Sequence, residues 1–202
     1  SAWKVDWYAY SAYKVYGPHM AALWGRRDAI AELPGPNHFF VPEDELPYKF
    51  EVGGVNHEGC AGIRGLRHYL AFLADIPDPE LLDRAAVERA FDVMTACELP
   101  LQGRLIEYLR SRDDVRIIGP TDAGPSRVGT ISFVHESKSS AEITEEVDRS
   151  GIGIRHGHMY AYHLCEAAGL IPEDGVVRTS LVHYNTPEEI DRLIEVFDRA
   201  LG

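Results

Sequence analysis

The sequence predicts an α/β protein in two parts. Residues 1–75 read as the C-terminal tail of an α/β sheet, and residues 76–202 as a separate small α+β domain. Three features point to this. The first 75 residues run strand, turn, strand, loop and helix. The proline-rich stretch Ile76-Pro77-Asp78-Pro79 then reads as a hinge-like linker. From residue 80 onward the periodicities order as helix, strand, strand, helix, strand, helix, strand, helix, which predicts helices layered on one face of a sheet.

Val5, Trp7 and Tyr10 are strand formers, so the run to Tyr10 reads as a short strand. Gly17-Pro18 forces a turn, and residues 20–25 read as a second apolar strand. Residues 28–33 form a short helix or turn, stopped by Pro34-Gly35-Pro36. Residues 34–48 are a long loop rich in proline and acidic groups, and long loops in compact domains tend to be functional or mobile. A helix over about 58–73 places Ile63, Leu66, Leu70 and Leu73 on one face. Residues 80–98 predict a helix that Pro100 breaks or kinks, followed by a second helical stretch to about 111. Strands are expected at 115–119, 128–134, 152–155 and 176–182. Ser139 or Ser140 caps a helix to 149, with Glu142 at capping-box distance from Ser139. A loop over 156–160 leads to a helix at 161–168, ended by Gly169. Thr186, Pro187 and Glu189 open the last helix.

A chain of 202 residues with 45% hydrophobic and 26% charged residues is ordinary for a globular protein and long enough for a buried core. The formal net charge of −12 argues against nucleic acid and anionic membranes as partners, though a local basic pocket remains compatible with it. Cys60, Cys97 and Cys165 are odd in number and widely spaced, so no disulfide framework or zinc site is expected and a cytoplasmic setting is the default. No stretch approaches the roughly 18 apolar residues of a membrane span.

The chemistry-bearing stretch is Asp6-x4-Ser11-x-Tyr13-Lys14-x2-Gly17-Pro18-His19. Lys14 sits just past a strand end, before a tight turn, where α/β proteins place reactive groups. Walled in by Trp7, Tyr13 and Tyr16, it would be partly desolvated; desolvation favours the neutral amine that attacks carbonyls. A lone lysine is more commonly a surface residue.

The string resembles the cofactor-lysine signature of the class V aminotransferases, which include the cysteine desulfurases and are fold-type-I pyridoxal-phosphate enzymes. Three further stretches resemble that family in the same order. Lys49-Phe50-Glu51-Val52-Gly53-Gly54-Val55-Asn56 is similar to its Phe-Glu-x-Gly-Thr-x-Asn segment, with Gly54 in place of threonine. Arg155-His156-Gly157-His158-Met159-Tyr160-Ala161 is similar to Arg-x-Gly-x-x-Cys-Ala, with Tyr160 in place of the sulfur-accepting cysteine. Arg178-Thr179-Ser180 through Tyr184-Asn185-Thr186 is similar to its Arg-x-Ser-x-x-x-Tyr-Asn-Thr ending.

The resemblance implies pyridoxal 5'-phosphate as cofactor and Lys14 as its Schiff-base lysine. It implies Ser11 and Tyr13 as phosphate donors, with Tyr13 standing where the family has histidine. It implies Gly53 and Gly54 as backbone donors to a neighbouring subunit's cofactor, hence a homodimer, and Arg178 as the grip on the carboxylate of a small amino-acid substrate. The fold expected is the tail of a fold-type-I large domain plus its small C-terminal domain. The family's N-terminal motifs are missing ahead of the lysine strand, so the chain is expected to be a C-terminal fragment or half of a split protein. A different reading is a truncated or non-catalytic remnant of that fold. A third is a metal-binding module using His156 and His158, but metal sites normally need three or four ligands, and no spacing enforces the recruitment of His163 or His183.

Overall fold

The computed structural model describes residues 3–51 and 53–202. The chain forms two compact units, one up to Ala90 and one spanning Phe91–Gly202.

In the first unit, β1 (Trp7–Ser11) pairs antiparallel with β2 (Ala21–Gly25), from Trp7 opposite Gly25 to Ser11 opposite Ala21. A single 3₁₀ turn, Ala12–Val15, joins them. Tyr16 closes it in the left-handed region at φ 66°, and its N–H donates to the Ala12 carbonyl. Gly17 N–H donates to the same carbonyl at 2.8 Å, and a Cβ on Gly17 would meet that oxygen at 2.9 Å, so glycine is required there. Ala12 N–H in turn donates to the Met20 carbonyl at 2.8 Å. The turn bearing Lys14 is thus fixed by backbone hydrogen bonds. Helix α1 (Arg27–Glu32) follows, with Arg26 paired to Asp6 and Asp28. Helix α2 (His57–Leu73) starts at Asn56, whose side chain accepts from Gly59 N–H at 2.7 Å. Its end packs Leu70 and Leu73 with Ile76 and Leu82 around Ala74, Ala86 and Ala90.

Helix α3 (Arg84–Arg110) runs unbroken through Pro100, preceded by a 3₁₀ turn at Pro79–Leu81. The expected break does not occur. Proline in a helix interior costs about 3 kcal/mol or more. Leu101, Leu105, Ile106 and Leu109 are all buried just beyond it, and each such side chain contributes about 1.5–3 kcal/mol. Packing outweighs the lost hydrogen bond.

The second unit holds an antiparallel sheet in the order β3-β4-β6-β5, formed by Val115–Ile118, Thr130–His135, Val176–Ser180 and Arg155–Gly157. Ile131 and Phe133 of β4 and Val177 and Thr179 of β6 are buried on one face. That face packs against α3, α4 (Ser140–Arg149) and α6 (Pro187–Leu201), with Phe133 and Phe197 edge to face at 5.4 Å. Helix α5 (Tyr162–Ala167) buries Cys165. The expected capping boxes at Ser139/Glu142 and Thr186/Glu189 are both present. Strand β5 begins at Arg155 rather than at residue 152. Ile152 and Ile154 are apolar because they cover the core, while pairing with β6 involves Arg155, His156 and Gly157.

A polar network ties the end of α3 to the sheet. The Arg112 guanidinium donates to both Asp114 carboxylate oxygens, at 2.9 and 2.6 Å. His135 Nδ1 accepts from the backbone N–H groups of Ser137 and Lys138, so its Nε2 carries the proton toward Asp114 at 3.1 Å.

Candidate active site

Lys14 lies in the 3₁₀ turn beyond β1, where the sequence predicts it. Its surroundings differ from the expectation. The side chain is exposed, and one ring, that of Tyr13, lies beneath Nζ at 5.9 Å. Tyr13 stacks on His19 at 4.8 Å with 16° between the planes. Trp7 turns instead to Phe50, edge-on at 6.2 Å, and lies over Gly25, where a Cβ would meet its ring at 2.6 Å. Tyr16 points to Tyr69 at 6.2 Å. The aromatics that surround Lys14 in sequence therefore leave its amine open. Ser11 is half-buried, and its hydroxyl does not cap the turn.

Gly53 and Gly54 line a cavity of about 450 Å³ with His38, Phe40, Tyr48 and Glu51. Lys14, Ser11 and Tyr13 do not line it. Space is open around both glycines: an added Cβ would meet nothing within 4 Å. The segment is held from one side by Lys49, whose exposure is 3%. Lys49 Nζ donates to the Ile30 carbonyl at 3.0 Å and pairs with Glu43 at 3.2 Å. Glu43 also accepts from Gly35 N–H at 3.0 Å, and that hydrogen bond, ahead of the lysine, holds its carboxyl below the usual range. A Cβ on Gly35 would meet the Lys49 carbonyl at 2.6 Å, so the loop closes on itself there. The sequence reading missed this tie, because a lysine is rarely buried and its partners lie 6 to 19 positions away.

In the second unit, Arg178 sits in the middle of β6 between buried Val177 and Thr179. It is half-buried, and its Nε is buried with no hydrogen-bond partner. Alternation places it on the face of the sheet away from the helices. Arg155 of β5 stands directly opposite it, and Ser132 of β4 on its other side. Met159 and Tyr160 both have positive φ, 50° and 62°, and Tyr160 is 100% exposed. His158 Nδ1 accepts from Tyr160 N–H at 3.1 Å. Among the described residues no group of three or more histidine, cysteine or acidic side chains is arranged to hold a metal ion, and no helix is long and apolar enough to cross a membrane.

The first unit thus presents an exposed amine on a turn fixed by backbone hydrogen bonds, with the Tyr13 ring beneath it. Comparison with known proteins shows which family the chain is similar to. The Aminotransferase class-V family profile matches residues 1–193. Aminotransferase-like protein FGM3 of Gibberella zeae is 38% identical over 198 residues, covering 97% of this chain and 46% of that protein. Nonribosomal peptide synthetase-like enzyme fsqF of Aspergillus fumigatus is 33% identical over 202 residues, covering 98% of this chain and 13% of that protein. The solved structure of the cysteine desulfurase CsdA from Escherichia coli superposes with a TM-score of 0.74 at 23% identity, over 98% of this chain and 46% of that one. This chain therefore spans less than half the length of these relatives, and it has the mixed α/β fold of about half of a fold-type-I cysteine desulfurase. The chain belongs to the class-V aminotransferase family.

Proposed function

We propose that the chain is part of a pyridoxal-phosphate enzyme of the class V aminotransferase or cysteine desulfurase-like type, acting on a small amino acid. The observation that carries the reading is Lys14, an open amine on a turn fixed by backbone hydrogen bonds beyond a strand, in a chain of this family. When bound, pyridoxal phosphate supplies an aldehyde for amines and a ring that takes up electron density from the substrate's α-carbon. Lys14 holds the cofactor and then, as a free amine, moves the α-proton. Ser11 and Tyr13 donate hydroxyl hydrogen bonds to the phosphate. The open Gly53 and Gly54 amides serve as further donors, toward a neighbouring subunit of a homodimer. Arg178 grips the substrate carboxylate, a task that suits a guanidinium fork because it meets both oxygens in one plane. In this reading residues 1–75 belong to the cofactor-binding domain and 76–202 to the small domain.

Sulfur transfer at the 156–160 loop is disfavoured. Tyr160 stands where the resemblance puts a cysteine, and a phenol cannot carry a persulfide. Cys165 is buried.

The test is borohydride reduction of the protein with pyridoxal phosphate, followed by digestion and mass mapping. Stoichiometric label on Lys14 is expected, and Lys14→Ala should lose both the label and about 10²–10⁴-fold in amino-acid turnover. Label scattered over surface lysines, or none, defeats the reading and favours the non-catalytic remnant.

A further inference from the structure

The loop between α1 and α2 encloses the cavity of about 450 Å³ that Gly53 and Gly54 border, and its other lining is aromatic and acidic. Three ring-bearing residues, His38, Phe40 and Tyr48, share it with two carboxylates, Glu45 and Glu51. Short ties hold this lining in place. The Asn37 side-chain amide donates to the carbonyls of Tyr48 and Glu51, and Asn37 Oδ1 accepts from His38 N–H at 2.8 Å. His38 lies flat on Phe40, 5.0 Å between centroids with 6° between the planes. Glu51 N–H donates to the Pro47 carbonyl, and Lys49 N–H to that of Glu45. Phe40 and Tyr48 remain exposed, so their rings are not spent on packing.

The charge of the lining is not balanced from within. Among the described residues no lysine or arginine lines the cavity. Lys49 is engaged elsewhere, with Glu43 and the Ile30 carbonyl. Among the described residues neither Glu45 nor Glu51 has a cationic side chain within ion-pair distance. Aromatic faces are the negative side of the ring quadrupole and attract cations. The chain's formal net charge of −12 adds to that attraction. A calcium ion would want about six to eight oxygen ligands, and the rings supply none. A neutral apolar molecule would leave both carboxylates unpaired. An alkylated ammonium group meets both demands, with its charge on the carboxylates and its methyl surface on the rings. The volume lies within the roughly 300–1,000 Å³ of small-molecule sites.

We propose that the cavity formed by Phe40, Tyr48, Glu45 and Glu51 binds a small alkylammonium cation. The site goes beyond the cofactor reading and makes no use of Lys14, Ser11 or Tyr13, none of which lines it. An added Cβ at Gly53 or Gly54 would meet nothing within 4 Å, so that side stays open for entry.

The experiment titrates isotope-labelled protein with tetramethylammonium chloride and follows the backbone amide signals by NMR. The controls are tert-butanol, a neutral molecule of similar shape, and sodium and calcium chloride at matched ionic strength. Tetramethylammonium should shift amides of residues 37–51 and bind about tenfold more tightly than tert-butanol. Tyr48→Leu and Glu51→Gln should each weaken tetramethylammonium about fivefold or more while leaving tert-butanol within twofold. Tyr48→Phe keeps the ring face and should retain binding within twofold, which separates loss of the ring from loss of the fold. Equal binding of tetramethylammonium and tert-butanol, or no binding of either, overturns the proposal. So does the same shift pattern with sodium or calcium, shifts centred outside the loop, or equal losses in Tyr48→Phe and Tyr48→Leu. Borohydride labelling of Lys14 is a separate readout: its failure defeats the cofactor reading and leaves the cation site standing.

Discussion

The two units are built in different ways. The second closes on one continuous core in which Phe133, Phe197, Leu105 and Val177 are fully buried between a sheet face and three helices. Among the described residues of the first, up to Ala90, the buried apolar side chains are Ala12, Ala29, Ala71, Ala74, Ala86 and Ala90. Its large apolar residues, among those described, are half-buried or exposed, with Leu23 65% and Phe39 100% exposed. Besides a small cluster of Leu70, Leu73, Ile76 and Leu82 around Ala74, Ala86 and Ala90, the first unit is held by polar ties: the backbone bonds of the Lys14 turn, the Asn56 cap and the Lys49 latch. Alanine contributes little transfer energy per residue, so this unit depends on polar geometry where the other depends on packing. Segments with few buried apolar contacts open most readily. The proposed cofactor lysine stands on that less packed unit.

Removing a large core side chain should separate the units most clearly. Phe133→Ala is expected to destabilise the second unit by about 3–5 kcal/mol, the usual cost of emptying a buried phenylalanine site. Hydrogen exchange should quicken in β4, β6 and α6 while the Lys14 turn keeps its own rate. If β1 and β2 exchange as slowly as β4 and β6 before any mutation, the contrast between the units is wrong.

The latch gives the corresponding test in the first unit. Lys49→Met keeps the apolar stem but leaves the Ile30 carbonyl and Glu43 without their partner. The cost should be about 1–3 kcal/mol, that of a buried polar group left unpaired. Faster exchange confined to residues 30–54 is the expected signature. Acceleration spread equally over the second unit would show that the loop is not a local tie.

A smaller effect, and one that depends on pH, belongs to Asp114. Hydrogen bonds from the Arg112 guanidinium, with a smaller contribution from His135, hold its carboxyl at about 2, below the usual 3.8. A depressed carboxyl stabilises the fold above its unfolded value and loses that contribution as pH falls through its folded one. The melting temperature of the second unit should therefore drop between about pH 4 and pH 2. Asp114→Asn should start lower at neutral pH and show a flatter slope in that window. An unchanged slope would mean that the Arg112–Asp114–His135 network does not persist in solution.

What the sequence made legible follows the same division between local and distant causes. Both capping boxes, the Lys14 turn and α2 are written within a few residues of themselves and read correctly. Pro100 misled because its local penalty is opposed by leucines whose partners lie on other elements. The start of β5 misled because Ile152 and Ile154 are apolar for burial and not for pairing. The burial of Lys49 and the facing of Arg155 with Arg178 were out of reach, since the first depends on the Ile30 carbonyl 19 positions away and the second on strand register. Lys14 and Arg178 are named as site residues by resemblance, which draws on long-range information that periodicity does not carry.

The mildest change bears most directly on the first unit's proposed chemistry. Gly54 stands where the family resemblance has threonine. An added Cβ would meet nothing within 4 Å, and the backbone is not in the left-handed region, so Gly54→Thr should fold normally. The second unit offers no such room at Gly129, where a Cβ would lie 2.5 Å from the Leu181 carbonyl. If the 53–54 segment reaches the cofactor phosphate, the new hydroxyl adds one hydrogen bond, worth about 0.5–1.5 kcal/mol. Pyridoxal phosphate should then bind about twofold to tenfold more tightly, as followed by absorbance titration. Unchanged affinity with normal folding would mean that the segment does not contact the phosphate, and that Gly53 and Gly54 serve the loop rather than the cofactor.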